Sequence, residues 1–294
     1  MEQRPFGTTG LTVSVVGLGA GALGAAELPD GEVERLVGAA LDAGVTLIDT
    51  ARSYGLSEER LGRALEGRRD AVVLSTKVGY GIPGLQDWTG PCIEAGVDAA
   101  LRRLRTDRLD VVHLHSCDLQ ILERGDVLGA LLDAVRAGKV RVAAYSGEGE
   151  ALDWAIASGS FGAIQCSVSV VDQAVLADDG PLARARATGL GVLAKRALGN
   201  APWRFAERPL AGDVAEAWER FRAMDLLPGP LPWPELFARF AAHTPGVSTI
   251  LQGTSKLDHL RAVVDGVSRG PLDATTVTAL RAAFARQGRW SGRI

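Results

Sequence analysis

The chain has 294 residues, 47% of them hydrophobic, which is enough to bury a large core and excludes both a disordered chain and a mini-protein. Charged residues make up 23% and the formal net charge is -3. No excess of positive charge is available for a phosphate backbone or an anionic membrane surface, so neither nucleic acid nor a membrane is an expected partner.

A short polar start with a turn at Gly7-Thr8-Thr9-Gly10 reads as an N-terminal hairpin. After it, short apolar runs alternate with segments of helical period, the pattern of parallel βαβ units. The runs are 15–18, 46–49, 72–75, 111–114, 140–143, 163–166, 192–195 and 248–251, eight candidate strands. Between them lie amphipathic segments, Glu32 to Ala43, Ser57 to Leu65, Ile93 to Leu104, Val127 to Ala137 and Ala151 to Ala157, each long enough for a crossover helix. Asp30 is a plausible N-cap for the first of these, and Gly44, Gly138 and Gly189 stand where helices stop. No Pro/Gly/Ser-rich linker divides the chain, so eight βα units fit a single α/β domain over residues 1–294, a (β/α)8 TIM barrel, better than two doubly wound domains. The longest interruption, Asn200 to Pro232, carries Trp203, Pro209, Pro228, Pro230 and Pro232 and reads as an elaborated loop over the barrel mouth, helical at Asp213 to Met224. A C-terminal extra helix, Asp273 to Arg286, follows the barrel.

Cys92, Cys117 and Cys166 form no CxxC pair and no zinc spacing with histidine, so no metal site is expected and the thiols read as small apolar fillers. The opening Met1-Glu2-Gln3-Arg4-Pro5 has no apolar leader, and no stretch approaches the ~18 apolar residues of a membrane span, so a cytoplasmic protein is expected. Oligomeric state stays open between a monomer and a weak homo-oligomer.

Gly19-Ala20-Gly21-Ala22-Leu23-Gly24 matches G-x-G-x-x-G after a strand, with Asp49 ending the next strand as the ribose-binding acid of a dinucleotide-binding domain would. In that motif the glycines open the helix directly, whereas here Glu27-Leu28-Pro29-Asp30 intervenes. The preferred reading is that these glycines keep side chains out of the barrel mouth so that a ligand approaches the backbone.

Chemistry in such a barrel lies at the C-terminal strand ends. Asp49 ends strand two, Tyr54 follows in its loop, Lys77 ends strand three and His115 ends strand four. Of the 32 basic residues only four are lysines, so a Lys inside a strand is informative. An ammonium beside a phenol stabilises the phenolate, a carboxylate keeps a buried ammonium paired, and a neutral His hydrogen-bonds a carbonyl oxygen. Together these suit carbonyl reduction, in which a developing alkoxide is stabilised and protonated. His113 points to the same face as His115 and reads equally as a barrel-layer histidine or a substrate contact, while Trp88 and Trp203 are candidates to line a pocket.

Phe6 to Ser14, Leu47-Ile48-Asp49-Thr50-Ala51-Arg52-Ser53-Tyr54-Gly55, Ser75-Thr76-Lys77, Leu114-His115-Ser116, Ala194-Lys195-Arg196-Ala197-Leu198-Gly199-Asn200 and Gly253-Thr254-Ser255 resemble, in order and spacing, the motifs of the aldo-keto reductase family. The resemblance implies that Tyr54 is the general acid, that Lys77 and Asp49 tune it, and that His115 orients the substrate carbonyl. It implies NADPH, with NADH possible, lying extended across the barrel mouth, and a small carbonyl compound or sugar as substrate. Cofactor contacts fall on Gly19, Ala20 and Asp49, on Ser146 and Gln165 at the nicotinamide carboxamide, on Lys195, Arg196, Leu198 and Asn200, and on Gly253, Thr254, Ser255, Lys256 and His259 around the adenosine 2′-phosphate. Gly147 stands where many members have Asn, Lys195 where an aromatic ring often stacks, and Gly253 and His259 where others carry Lys and Arg; Lys-Arg at 195–196 resembles a bacterial subgroup. An NAD-linked sugar or alcohol dehydrogenase and a non-catalytic nucleotide-binding regulatory barrel are the alternatives, the second disfavoured by the intact Asp49, Tyr54, Lys77 and His115.

Overall fold

The computed structural model describes residues 1–227 and 229–287, so Pro228 lies outside the described residues. Strands β1 (Gln3–Pro5) and β2 (Thr12–Ser14) pair antiparallel as an N-terminal hairpin, Gln3 opposite Ser14. Eight parallel strands then close on themselves in chain order: β3 (Val16–Gly19), β4 (Leu47–Asp49), β5 (Val73–Val78), β6 (Leu109–His115), β7 (Val140–Ser146), β8 (Ala163–Ser167), β9 (Gly191–Lys195) and β10 (Thr249–Gly253), the last pairing with β3. This is the (β/α)8 barrel that the alternation predicts.

The period of two along each strand decides what lies inside. Residues with one parity, Ile48, Leu74, Val112, Leu114, Ile164 and Ile250, pack against the surrounding helices. Those with the other parity fill the barrel. Its floor is apolar, with Leu47, Val73, Val111, Val142, Ala163 and Leu193 clustered on Phe6, Leu11 and Val13 of the hairpin, which closes the bottom. Two or four residues further along the same strands, the inward positions become Asp49, Ser75 and Lys77, His113 and His115, Ser146, Gln165 and Lys195. The same alternation that builds the core therefore delivers polar side chains to the mouth.

The helices are α1 (Asp30–Asp42), α2 (Ser57–Ala64), α3 (Gly90–Arg103), α4 (Leu119–Arg124), α5 (Asp126–Arg136), α6 (Gly149–Ala157), α7 (Pro181–Ala187), α8 (Gly212–Ala223), α9 (Trp233–Ala242), α10 (Leu257–Ser268) and α11 (Ala274–Ala285). Gly44, Gly138 and Gly189 take the left-handed backbone after α1, α5 and α7, as expected at helix ends. Asp30 is not a cap. Pro29 precedes the helix, and the Asp30 carboxylate instead bridges Arg60 and Arg63 of α2, each at 2.8 Å. Asp273, by contrast, caps α11, accepting from Thr276 N at 2.8 Å.

Between β9 and α9 the expected loop carries α8, whose Ala217 packs with Val170, Val171, Phe237, Phe240 and Leu280 in a satellite core under α9 and α11. Trp203 belongs to this core, its ring 4.8 Å from that of Phe237. It does not line the main cavity. No helix among the described residues is long and apolar enough to cross a membrane. The three cysteines are buried and free, and burial pushes the Cys117 thiol up to about 12.

Candidate active site

Asp49 and Lys77 meet across neighbouring strand ends, Lys77 Nζ donating to Asp49 Oδ2 at 2.6 Å and to the Thr50 carbonyl at 2.8 Å. Both side chains are almost wholly buried. Burial by itself opposes either charge, yet the Lys77 charge and its hydrogen bond, with help from His113 and Ser75, hold the Asp49 carboxyl below the usual carboxylate range. Burial likewise pulls against the ammonium, but Asp49 and then Tyr54 outweigh it and raise Lys77. The pair is thus fully ionised with its free side toward Tyr54, whose ring centre is 4.9 Å from Lys77 Nζ. The Tyr54 ring stands perpendicular to His115, 6.1 Å between centres. Burial and then the Lys77 charge drive His115 down to about 3, so this ring is neutral at ordinary pH.

Beneath the pair, Ser75 Oγ donates to Asp49 Oδ1 at 2.8 Å and lies 3.0 Å from His113 Nε2. With the Ser75 proton committed to Asp49, its oxygen accepts from His113. His113 is wholly buried and absent from the cavity lining, which makes it a barrel-layer residue rather than a substrate contact. Burial drives it to about 4, with the Asp49 charge resisting and the Lys77 charge assisting. Since an unfolded His takes its proton near 6.5, stability is lost as pH falls from 6.5 toward 4, by about 3 kcal/mol from His113 alone. Urea midpoints should fall steadily between pH 7 and pH 4 and less steeply in His113→Gln; equal slopes in the two proteins would remove His113 from the effect.

The mouth opens into a cavity of about 750 Å³ lined by Gly19, Gly21, Asp49, Tyr54, His115, Ser116, Ser146, Gln165, Lys195, Arg196, Leu198, Asn200, Arg204, Phe205, Gln252 and Gly253, among others. Residues at the ends of β3, β4, β6, β7, β8, β9 and β10 therefore share one chamber with the loop after β9, whereas Lys77 of β5 is not among its lining residues. Ser146 Oγ donates to Gln165 Oε1 at 2.8 Å, while the buried Gln165 Nε2 has no partner among the described residues. Buried amide donors are rarely left so, and an acceptor such as a carboxamide oxygen would satisfy this one. At Gly147 a Cβ would lie 2.3 Å from the Tyr145 hydroxyl, which itself donates to Cys117 O at 2.9 Å. Tyr145 thus occupies the space that a side chain at 147 would need.

Lys195 is paired. Its Nζ lies 3.3 Å from Glu148 Oε1, and that oxygen also accepts from Ser167 N at 2.8 Å. Burial pulls the Lys195 ammonium down against the opposing Glu148 charge. Glu148 escapes sequence reasoning, although its place two residues beyond the end of β7 is a signal. So does Tyr80, three residues after Lys77, whose hydroxyl lies 2.8 Å from His115 Nδ1.

Arg196 and Asn200 both have left-handed backbones and turn toward α8, Arg196 Nη2 lying 3.9 Å from Asp213 Oδ2 and Asn200 Nδ2 donating to the Asp213 carbonyl at 3.3 Å. Ala20 does not join the cavity: it is fully buried, its N–H donating to Asp49 O at 2.8 Å and its carbonyl accepting from Ser57 Oγ at 2.9 Å. Gly21 to Gly24 form a short 3-10 turn, and a Cβ at Gly24 would lie 1.5 Å from the Tyr54 carbonyl oxygen. The last glycine of the motif therefore makes room for the Tyr54 loop, while Gly19 and Gly21 line the chamber. Beyond Gly253, Thr254 Oγ1 accepts from Lys256 N at 3.0 Å. Ser255 is half-buried, and Lys256 and His259 are exposed at the start of α10, their side chains making no hydrogen bond or ion pair among the described residues.

A model described as the Aldo/keto reductase family matches residues 15–284. Aldo-keto reductase YhdN of Bacillus subtilis (strain 168) is 36% identical over 165 residues, 50% of this chain and 47% of that one. L-galactose dehydrogenase of Arabidopsis thaliana is 33% identical over 156 residues, 50% of this chain and 49% of that one. The chain thus spans about half the length of these two curated relatives. Among solved structures, aldo-keto reductase AKR11C1 from Bacillus halodurans in its holo form matches with a TM-score of 0.82 at 25% identity, covering 96% of each chain. With the family model running from the residue before β3 into α11, the chain belongs to the aldo/keto reductase family.

Proposed function

We propose that the protein reduces an aldehyde or ketone, a small carbonyl compound or a sugar, to the alcohol in the cytoplasm, with NADPH as cofactor and Tyr54 as general acid. The observation that carries this reading is the buried, fully paired Lys77 ammonium held 4.9 Å from the Tyr54 ring. A bound reduced nicotinamide supplies the hydride. Tyr54 gives its phenolic proton to the carbonyl oxygen, and Lys77 stabilises the phenolate left behind. Asp49 keeps Lys77 charged. The neutral His115 ring donates an N–H to the same oxygen and aligns the carbonyl.

The orphaned Gln165 Nε2 and the Ser146 hydroxyl fit a nicotinamide carboxamide, and Gly19 and Gly253, bare of side chains, fit close approach by an extended dinucleotide. Lys195, Arg196, Leu198 and Asn200 would border it. Ser255, Lys256 and His259 would take the adenosine 2′-phosphate at the start of α10, where the helix dipole also favours an anion. One exposed Lys supplies modest energy, so titration should show Lys256→Ala weakening NADPH about fivefold and leaving NADH unchanged. Should NADH bind the wild type as tightly as NADPH, the phosphate-site reading is wrong. The activity itself is tested with both cofactors against aldehydes, ketones and sugars in both directions; oxidation of alcohols or sugars with NAD without any carbonyl reduction would replace this reading by the dehydrogenase one.

A further inference from the structure

We propose that Tyr80 is a positioning residue that sets the tautomer of His115: its hydroxyl donates to Nδ1, so the single proton of the neutral ring sits on Nε2, the nitrogen left to face a substrate carbonyl. The inference rests on the proposed reduction, in which His115 donates to the carbonyl oxygen. With the proton on Nδ1 instead, Nε2 would turn a lone pair toward that oxygen and repel it.

The contact is short. Tyr80 Oη lies 2.8 Å from His115 Nδ1 and 3.2 Å from Ser53 Oγ. A phenol has one proton and two possible acceptors here; the proton is assigned to the shorter contact, His115 Nδ1 at 2.8 Å, rather than to Ser53 Oγ at 3.2 Å, whose own hydroxyl is then free to donate to the phenol oxygen. The two rings lie near parallel, 26° apart with centres 5.6 Å from one another, and the Trp88 ring lies tilted against Tyr80 with centres 5.7 Å apart. Trp88 is pinned in turn. Its N–H donates to Gly79 O at 2.8 Å, its carbonyl accepts from Arg124 Nη2 at 2.9 Å, and its ring fills the space beside Gly79, where a Cβ would lie 2.2 Å from it. Trp88, Tyr80, His115 and Tyr54 thus form a continuous row of rings along the mouth, with the His held between a phenol that fixes its proton and a phenol that gives one up. A neutral ring is what makes the tautomer matter, and burial next to Lys77 keeps His115 neutral.

The test is nitrogen NMR of the whole protein with 15N-labelled histidine, the His115 signals being identified by their loss in His115→Gln. In the wild type, Nδ1 should resonate as an unprotonated, hydrogen-bonded nitrogen and Nε2 as a protonated one. Ser53→Ala should keep this pattern, because Tyr80 still donates to Nδ1. Tyr80→Phe, which retains the ring between Trp88 and His115, should shift the Nδ1 signal toward a mixture of tautomers. It should also lower kcat/KM for the carbonyl substrate about tenfold, one hydrogen bond's worth, with cofactor Kd unchanged. A proton found on Nδ1 in the wild type, or a tautomer that flips in Ser53→Ala, overturns the proposal by making Tyr80 the acceptor. Unaltered nitrogen shifts in Tyr80→Phe, or altered shifts with wild-type turnover, likewise remove the role. Failure of the reductase reading itself would show separately, as wild-type turnover in Tyr54→Phe.

Discussion

Tyr54→Phe is expected to lower turnover by roughly 10²-fold or more while leaving cofactor affinity and stability near wild type. The substitution keeps the ring. Its packing perpendicular to His115 and its place over the Lys77 ammonium depend on the aromatic face, which Phe also offers. The backbone that holds the loop is independent of the hydroxyl too: Tyr54 N donates to Ala51 O at 3.1 Å, and Leu56 N to Gly24 O at 3.0 Å. What is lost is the phenolic proton donor placed beside the buried Lys77 ammonium. Stopped-flow measurement of the chemical step together with calorimetric cofactor titration separates these effects. Wild-type turnover would take Tyr54 out of the reaction. Loss of cofactor binding alongside turnover would mean instead that the hydroxyl serves the binding site.

The barrel and the constellation at its mouth are legible in the chain for one physical reason. A strand that must present apolar residues at the floor and polar ones at the mouth writes both into the same alternate positions, as Val73, Ser75 and Lys77 do on β5 and Val111, His113 and His115 on β6. Such a run ends in an ionisable residue where a purely structural strand would not. Residues whose function depends on how a loop folds back leave no comparable trace. Tyr80 reaches His115 because Gly79 admits the Trp88 ring behind it, and Glu148 reaches Lys195 across the interval between β7 and β9. Neither proximity follows from periodicity. The G-x-G-x-x-G motif shows the reverse case: its last glycine answers to the Tyr54 carbonyl of a different loop, a tertiary contact that local spacing imitates. Asp30 failed as a cap for a similar reason, since two arginines of α2 compete for its carboxylate more strongly than its own helix N-terminus does.

Removing Lys77 should cost more than removing the acid it serves, because it strands a charge. In Lys77→Met the Asp49 carboxyl keeps the Ser75 hydrogen bond but loses the ammonium at 2.6 Å, inside a layer with almost no solvent contact. An unpaired buried charge of this kind costs about 3–5 kcal/mol of stability. Turnover should fall by roughly 10²-fold or more as well, since Tyr54 loses the charge that stabilises its phenolate. The two losses have different origins and respond differently to a second substitution. Adding Asp49→Asn removes the stranded charge, so Lys77→Met/Asp49→Asn should regain much of the stability while staying inactive, a non-additive result expected of residues in contact. Lowering the pH of the single variant should have the same sign of effect. Without its partner the buried Asp49 carboxyl has its affinity for a proton raised by burial, so the variant's deficit relative to wild type narrows as pH falls. Urea unfolding of the wild type, both single variants and the double variant at pH 7 and pH 5, with turnover measured on the folded fraction, reads all of these at once. A double variant no more stable than Lys77→Met would show that Lys77 stabilises the mouth by packing rather than by pairing, and recovered turnover in it would separate the ammonium from the chemistry.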